Sequence, residues 1–167
     1  ASDVYKRQIK IPNQEPKKLG YTFEGWKTGT DDTVYKYGTQ NDTYTVPNDI
    51  SGAITFIAQW SINEYKITYE LNGGINAENA PVSYTIETDT ITLPVPTKDG
   101  YNFEGWYTDA AFENAVAAIA KGSVGDMVLY AKWSEKDMAV YKINSYEKGN
   151  VSVRKRTDTD DSSSVVI

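Results

Sequence analysis

Alternating apolar and polar residues recur along the chain and predict a protein built from short strands. In Tyr65–Leu71, tyrosine, isoleucine and leucine share one face while lysine, threonine and glutamate share the other, which is the pattern of a half-buried strand. The Asn-Gly-Gly at 72–74 is a strong turn signal. Further strands are predicted in Val82–Thr88 and Ile91–Leu93, and the second of these ends where two prolines stop strand pairing.

The chain contains an internal repeat. The phrase GYTFEGW at Gly20–Trp26 returns as GYNFEGW at Gly100–Trp106, 80 positions later. The apolar strand that ends at Trp60 returns in the strand that ends at Trp133, only 73 positions later, as expected where a surface loop differs in length between two copies. A period of roughly 75 residues is longer than that of a solenoid, so each unit should have its own core.

These spacings divide the chain into four parts. Residues 1–8 are set aside, because Asp3–Gln8 is typical of a translated sequencing adapter. Residues 9–62 (the first unit) are predicted to be a repeat unit that lacks its opening strand, and residues 63–135 (the second unit) a complete one. Residues 136–167 are predicted to begin a divergent third unit and to end in a disordered tail.

The repeated phrase is predicted to serve packing. Strict alternation would point Trp106 away from Phe103, whereas a bulge at Gly105 would turn both rings into the core. Gly25 and Trp26 are interpreted in the same way, and apolar strands ending in tryptophan suit the core of a small sheet. The alternative for Trp60 and Trp133, which lie at strand ends, is that they cover the junction to the next unit. The predicted structural motif comprises Gly25, Trp26, Trp60, Gly105, Trp106 and Trp133.

The segment Ala110–Ala120 is ambiguous. Asp109 is a suitable cap for a helix whose apolar face would contain Phe112, Val116 and Ile119. The corresponding stretch of the first unit has the pattern of strand and loop, so a short helix and no helix both stay open.

Composition excludes several kinds of chemistry. The chain has no Cys and no His, which removes disulfides, thiol nucleophiles, histidine bases and the usual zinc ligands. Glu24 and Glu104 recur at matching positions, but on a predicted outward face, as solvated or cross-strand groups. The acidic run Asp158–Asp161 lacks the glycine and glutamate of a calcium loop. We therefore predict no catalytic residues, no metal site and no cofactor.

Charge and hydropathy limit the classes of partner that are expected. The formal net charge is −6, which argues against nucleic acid as a partner. No apolar run approaches the ~20 residues of a membrane helix, so membrane insertion is not predicted. Residues 1–8 contain no apolar core of a signal peptide.

Three phrases resemble the Listeria–Bacteroides repeat, the family that includes the B-repeat of internalin-type surface proteins. They are YKITYELNGG at Tyr65–Gly74, the phrase at Pro96–Phe112 that contains GYNFEGW, and the phrase at Lys121–Trp133 that ends in LYAKW. The first unit matches over Pro16–Trp60, and the match fades after Ile143. The resemblance implies an α+β, mostly β fold of tandem β-grasp-like (ubiquitin-like) units with little helix, and it transfers no catalytic residues.

The resemblance also implies a role. We expect a non-catalytic extracellular module of a secreted or wall-anchored bacterial surface protein, acting as a stalk, a spacer or an accessory adhesion segment. Its expected partners are neighbouring repeats and a host-cell or matrix protein or glycan. The alternative is a carbohydrate-binding module, whose candidate ligand-facing aromatics are Tyr35, Tyr107 and Tyr130.

Overall fold

The computed structural model describes residues 7–137, 141–147 and 150–155. These residues contain no helix, so the fold is mostly β and the helical part of the predicted α+β class is wrong for the described chain. The strands are β1 (Gln8–Lys10), β2 (Tyr21–Thr28), β3 (Thr43–Thr45), β4 (Phe56–Ile62), β5 (Glu64–Glu70), β6 (Ser83–Thr85), β7 (Ile91–Thr92), β8 (Tyr101–Tyr107), β9 (Ala115–Val116), β10 (Ala118–Ile119), β11 (Met127–Glu135), β12 (Tyr141–Glu147) and β13 (Asn150–Lys155).

The second unit is built on a five-stranded mixed sheet. Its strand order is β6-β5-β11-β8-β9, in which β5 and β11 are parallel and the other neighbours are antiparallel. The small β7–β10 ribbon contributes residues to the same core. The buried core consists of Ile67, Tyr84, Leu93, Trp106, Ile119, Leu129 and Ala131.

The bulge predicted at Gly105 is present. Lys132 pairs with Gly105 and the next residue of β11 pairs with Phe103, which leaves Glu104 as the extra residue. Gly105 has φ 131°, a conformation that residues with a Cβ rarely adopt. The bulge turns Trp106 into the core, where the residue is only 3% exposed.

The Trp106 ring is held by packing and by one hydrogen bond. Its Nε1 donates to the Pro94 carbonyl at 2.7 Å. The ring centroid lies 5.2 Å from that of Tyr69 and 5.4 Å from that of Phe103. Such edge and tilted contacts add to the burial that stabilises the core.

The first unit repeats this arrangement in part. Its β2 and β4 pair antiparallel, and a register shift between Phe23 and Gly25 places the same bulge, with Gly25 at φ 140°. Trp26 packs edge-on against Phe23, with ring centroids 5.2 Å apart, but unlike Trp106 it is only partly buried. In the second unit β5 supplies the covering Tyr69, and the described residues of the first unit supply no such strand.

The segment 110–120 forms a turn and two short strands. The Asp109 carboxylate accepts the backbone N–H of Glu113 at 3.0 Å and that of Asn114 at 2.8 Å. Phe112 has a φ of 57°, which a helix does not allow. Asp109 therefore closes a turn, since the side-chain bonds that cap a helix also stabilise turns.

The ends of the described chain carry the remaining strands. Gln8, although set aside above, pairs with Thr45 as part of the β1–β3 ribbon. Strands β12 and β13 form an antiparallel pair within the part assigned to a third unit. The predicted tail, including Asp158–Asp161, lies outside the described residues.

Candidate functional site

An open groove of about 530 Å³ lies beside Trp133 in the second unit. We call it the second-unit groove. It combines aromatic faces with two lysines and has no buried acidic group. Its lining residues are Asn72, Lys98, Tyr101, Ala110, Phe112, Tyr130, Ala131, Lys132 and Trp133.

The Asn-Gly-Gly turn after β5 forms one wall of this groove. Trp133 Nε1 donates to the Leu71 carbonyl at 2.9 Å, and Asn72 Nδ2 donates to the Ala131 carbonyl at 2.8 Å. A Cβ at Gly74 would lie 2.4 Å from a carbon of the Trp133 ring. Only glycine fits there, so the turn and the tryptophan are matched in shape.

Lysines cover part of the aromatic surface. Lys98 Nζ donates to the Asn72 carbonyl at 2.9 Å and lies 4.1 Å from the centre of the Tyr101 ring. Lys132 Nζ lies 5.3 Å from the centre of the Tyr107 ring. Cation–π contacts of this kind favour the observed positions, and they occupy ring faces that a sugar would otherwise stack on.

The three candidate tyrosines do not form one platform. Tyr130 lines the second-unit groove and lies directly opposite Tyr107 across the β8–β11 pair. Tyr107 packs edge-on against Phe112, with centroids 5.4 Å apart. Tyr35 belongs to the first unit, where it packs edge-on against Tyr44. All three candidate rings are partly buried.

An open groove of about 570 Å³ occupies the same place in the first unit, and we call it the first-unit groove. Its Trp60, Tyr21 and Lys18 correspond to Trp133, Tyr101 and Lys98 of the second-unit groove. Lys18 Nζ lies 3.7 Å from the centre of the Tyr21 ring. The full lining is Glu15, Pro16, Lys17, Lys18, Leu19, Gly20, Tyr21, Phe23 and Trp60.

Sequence reasoning missed Lys18 and Tyr21 in the first-unit groove and Lys98 and Tyr101 in the second-unit groove. The signal was present, because both units contain Lys-x-Gly-Tyr, at Lys18–Tyr21 and at Lys98–Tyr101. The lysine lies outside the seven-residue phrase, and a lone surface lysine is usually solvated.

Carboxylates in the described residues act as structural partners. Ser61 Oγ donates to Glu24 at 2.5 Å, and Ser134 Oγ donates to Glu104. The backbone N–H of Glu113, followed by those of neighbouring residues, lowers the pKa of the Asp109 carboxyl. Within the part of the chain that the structure describes, no group of His, Cys, Asp and Glu is placed to hold a metal ion.

Comparison with known families decides the affiliation. The sequence profile of the Listeria–Bacteroides repeat domain matches residues 3–59 and 65–132. The chain belongs to this family. The two matches contain both glycine bulges, all three candidate tyrosines and every groove residue except Trp60 and Trp133. They confirm the resemblance inferred from the repeated phrases.

Relatives of this repeat are much longer bacterial proteins. A protein of Evansella cellulosilytica named as a Gly-rich membrane protein is 33% identical over 141 residues, which is 82% of this chain and 15% of the relative. Internalin H of Listeria monocytogenes is 34% identical over 134 residues, or 77% of this chain and 22% of the relative. The chain thus spans about a fifth or less of these two relatives. No solved structure matches it significantly.

None of the described residues belongs to a helix that could span a membrane.

Proposed function

We propose that this chain is a non-catalytic, extracellular tandem module of a bacterial surface protein, in which ordered repeat units act as a spacer or accessory adhesion segment. Membership of a repeat family with internalin and membrane-protein relatives supports this proposal. We also propose that each unit is β-grasp-like. The mixed sheet supports this, because the first and last long strands of the second unit, β5 and β11, are its central parallel pair.

The junction between the two units is the observation that carries the proposal. Asn63 alone separates β4 from β5, and its backbone N–H donates to the Gly20 carbonyl at 2.9 Å. Across the junction the Tyr21 hydroxyl donates to the Glu87 carboxylate. A Cβ added at Gly20 would lie 2.6 Å from the Ile86 side chain. A spacer needs units held relative to each other, and these contacts support that role.

The residue that follows the last strand of the second unit makes the same backbone hydrogen bond as Asn63. The backbone N–H of Lys136 donates to the Gly100 carbonyl at 2.9 Å, as the linker residue after β4 does with Gly20. Each described unit therefore fixes the start of the linker that follows it, which favours a rod of ordered units over flexibly joined ones.

We expect Gly20→Ala to loosen the junction. Gly20 and Gly100 have similar φ values, 78° and 77°, so alanine at either position meets the same backbone strain. Only at Gly20 would the new Cβ also collide with Ile86; the space at Gly100 is open. NMR relaxation should show the two units tumbling together in the wild-type chain and in Gly100→Ala, and separately in Gly20→Ala. Joint tumbling in all three would contradict the proposed junction.

The junction should also respond to alkaline pH. The hydrogen bond to Glu87 raises the pKa of the Tyr21 hydroxyl above its ordinary 10.0, with further contributions from burial and from the Glu87 charge. A raised pKa means that the contribution is fully present below pH ~10 and is lost as the pH rises through the folded-state pKa. Common tumbling should therefore weaken above that pH, and Tyr21→Phe should remove this step while other tyrosines still titrate. An identical alkaline step in Tyr21→Phe would assign it to other groups.

A second candidate function, carbohydrate binding, is favoured by the aromatic lining of the second-unit groove. A glycan and polysaccharide array on the full chain separates the two functions. The spacer proposal predicts no reproducible binding. Binding that is lost in Tyr130→Ala but kept in Tyr35→Ala, whose ring lies outside either groove, would replace the spacer with a carbohydrate module.

A further inference from the structure

The turn after β5 contains the one Asn-Gly pair of the chain, Asn72–Gly73. Asn72 is exposed and has a φ of 49°. An asparagine followed by glycine is the least hindered setting for attack of the backbone nitrogen on the side-chain amide, because glycine has no side chain to block the approach. We propose that Asn72 is a site of spontaneous deamidation, that the hydrogen bonds of the folded turn set its rate, and that the product loosens the wall of the second-unit groove.

The reaction needs only the chain itself and water. The Gly73 nitrogen attacks Cγ of Asn72, the bond from Cγ to Nδ2 breaks, and Nδ2 leaves as ammonia with the proton of the Gly73 N–H. The new bond closes a succinimide ring. Water then adds to either carbonyl of the ring, and ring opening gives aspartate or isoaspartate. No electron transfer occurs, and the side-chain amide has become an acid that is ionised at neutral pH.

One hydrogen bond fixes the amide that has to react. Asn72 Nδ2 donates to the Ala131 carbonyl at 2.8 Å. Ala131 is 0% exposed and pairs with Trp106 inside the sheet, so this acceptor belongs to the core of the second unit. To close the ring, the amide must leave Ala131 and turn its carbon onto the Gly73 nitrogen. The bond to Ala131 therefore opposes the reaction.

The backbone on both sides of the reacting pair is fixed as well. The Leu71 carbonyl accepts the Trp133 indole N–H at 2.9 Å and the Gly74 N–H at 3.0 Å. Gly74 lies so close to the Trp133 ring that an added Cβ would be 2.4 Å from it. Lys98 Nζ donates to the Asn72 carbonyl at 2.9 Å, which holds the peptide group that contains the attacking nitrogen. Ring closure therefore requires local opening of this turn, and its rate follows the population of the open form.

Deamidation removes a donor that the folded turn uses. A carboxylate only accepts hydrogen bonds, so it cannot replace Nδ2 against Ala131, and that carbonyl loses its side-chain partner. Isoaspartate also lengthens the main chain by one methylene between Leu71 and Gly74, the two residues that contact the Trp133 ring system. Either product should therefore loosen the turn from the tryptophan.

The rate is tested by peptide mass spectrometry of the full chain, incubated at mildly alkaline pH in buffer and in urea. We expect Asn72 to convert faster than any other asparagine in urea, and to convert in buffer at least about tenfold more slowly than in urea. Trp133→Phe keeps an aromatic ring but removes the indole donor to Leu71, so it should raise the rate in buffer toward that in urea. Trp60→Phe makes the same substitution in the first-unit groove and should leave the rate unchanged.

The structural consequence is tested by Asn72→Asp, which carries the aspartate product in every molecule. Its second unit should unfold at a lower urea concentration than that of the wild type, and the NMR signal of the Trp133 indole should shift. Asn79→Asp is the matched control. It adds the same charge at an exposed position where the described residues give the side chain no hydrogen bond, so it should unfold like the wild type.

Equal rates of conversion at Asn72 in buffer and in urea would overturn the proposal. A rate in buffer that Trp133→Phe leaves unchanged, or faster conversion of another asparagine in urea, would overturn it as well. Wild-type stability and an unshifted Trp133 signal in Asn72→Asp would show that the product does not loosen the groove wall, and would contradict the inferred consequence directly.

Discussion

Trp106→Ala should lower the free energy of unfolding of the second unit by about 3–5 kcal/mol, the range for removing a large aromatic residue from a core. Trp106 is 3% exposed and contacts both Tyr69 and Phe103. Its loss also leaves the Pro94 carbonyl without the indole donor. Residue-resolved NMR during urea unfolding measures the effect separately for each unit.

Trp26→Ala is the matched control for this prediction. Trp26 occupies the same place in the repeated phrase but is only partly buried, so its substitution should cost the first unit clearly less. A second unit that keeps its wild-type midpoint in Trp106→Ala would refute the packing role and make this tryptophan a candidate binding residue.

Gly25→Ala should destabilise the first unit on the order of 3 kcal/mol, combining backbone strain with overpacking. Gly25 has φ 140°, and an added Cβ would lie 2.6 Å from the Val34 side chain and 2.7 Å from the Tyr35 carbonyl oxygen. The contact with the Tyr35 carbonyl cannot relax without moving the bridge between Trp26 and Tyr35, because that carbonyl accepts the Trp26 N–H. Urea unfolding of the first unit, followed by the same NMR signals, measures the loss.

Gly105→Ala separates the two causes. Gly105 has a similar φ of 131°, but the nearest side chain that an added Cβ would meet is the Tyr107 ring, 4.0 Å away. Backbone strain alone should therefore lower the free energy of unfolding in Gly105→Ala, by about 1–3 kcal/mol. Gly25→Ala should cost its unit more. Equal losses in both units would contradict the overpacking at Gly25, because they would show that the collisions with Val34 and with the Tyr35 carbonyl both relax freely.

Local pattern was enough to predict strand β5 and the bulge at Gly105. The alternation in Tyr65–Leu71 became β5, and the failure of alternation at Gly105 located the bulge that turns Trp106 inward. These features depend on neighbours a few residues away, and their side-chain requirements are visible in the sequence.

Features that depend on distant residues could not be predicted in the same way. The groove wall joins Leu71 to Trp133, 62 positions apart, and no local pattern indicates that pair. Asp109 was ambiguous because one carboxylate serves a helix cap and a turn equally well. The burial of Trp26 depends on whether a neighbouring strand covers it. The sequence of the repeated phrase Gly20–Trp26 carries no information about that strand.

The central claim, that the two units form an ordered junction, is tested most directly by a distance measurement between them. The chain has no cysteine, so spin labels on Asp49→Cys and Glu113→Cys, both exposed positions, attach only there. Double electron–electron resonance should give one narrow distribution of distances between the two labels. Gly20→Ala should broaden this distribution, and Gly100→Ala should leave it unchanged. A broad distribution in the wild-type chain that Gly20→Ala does not alter would contradict the ordered spacer.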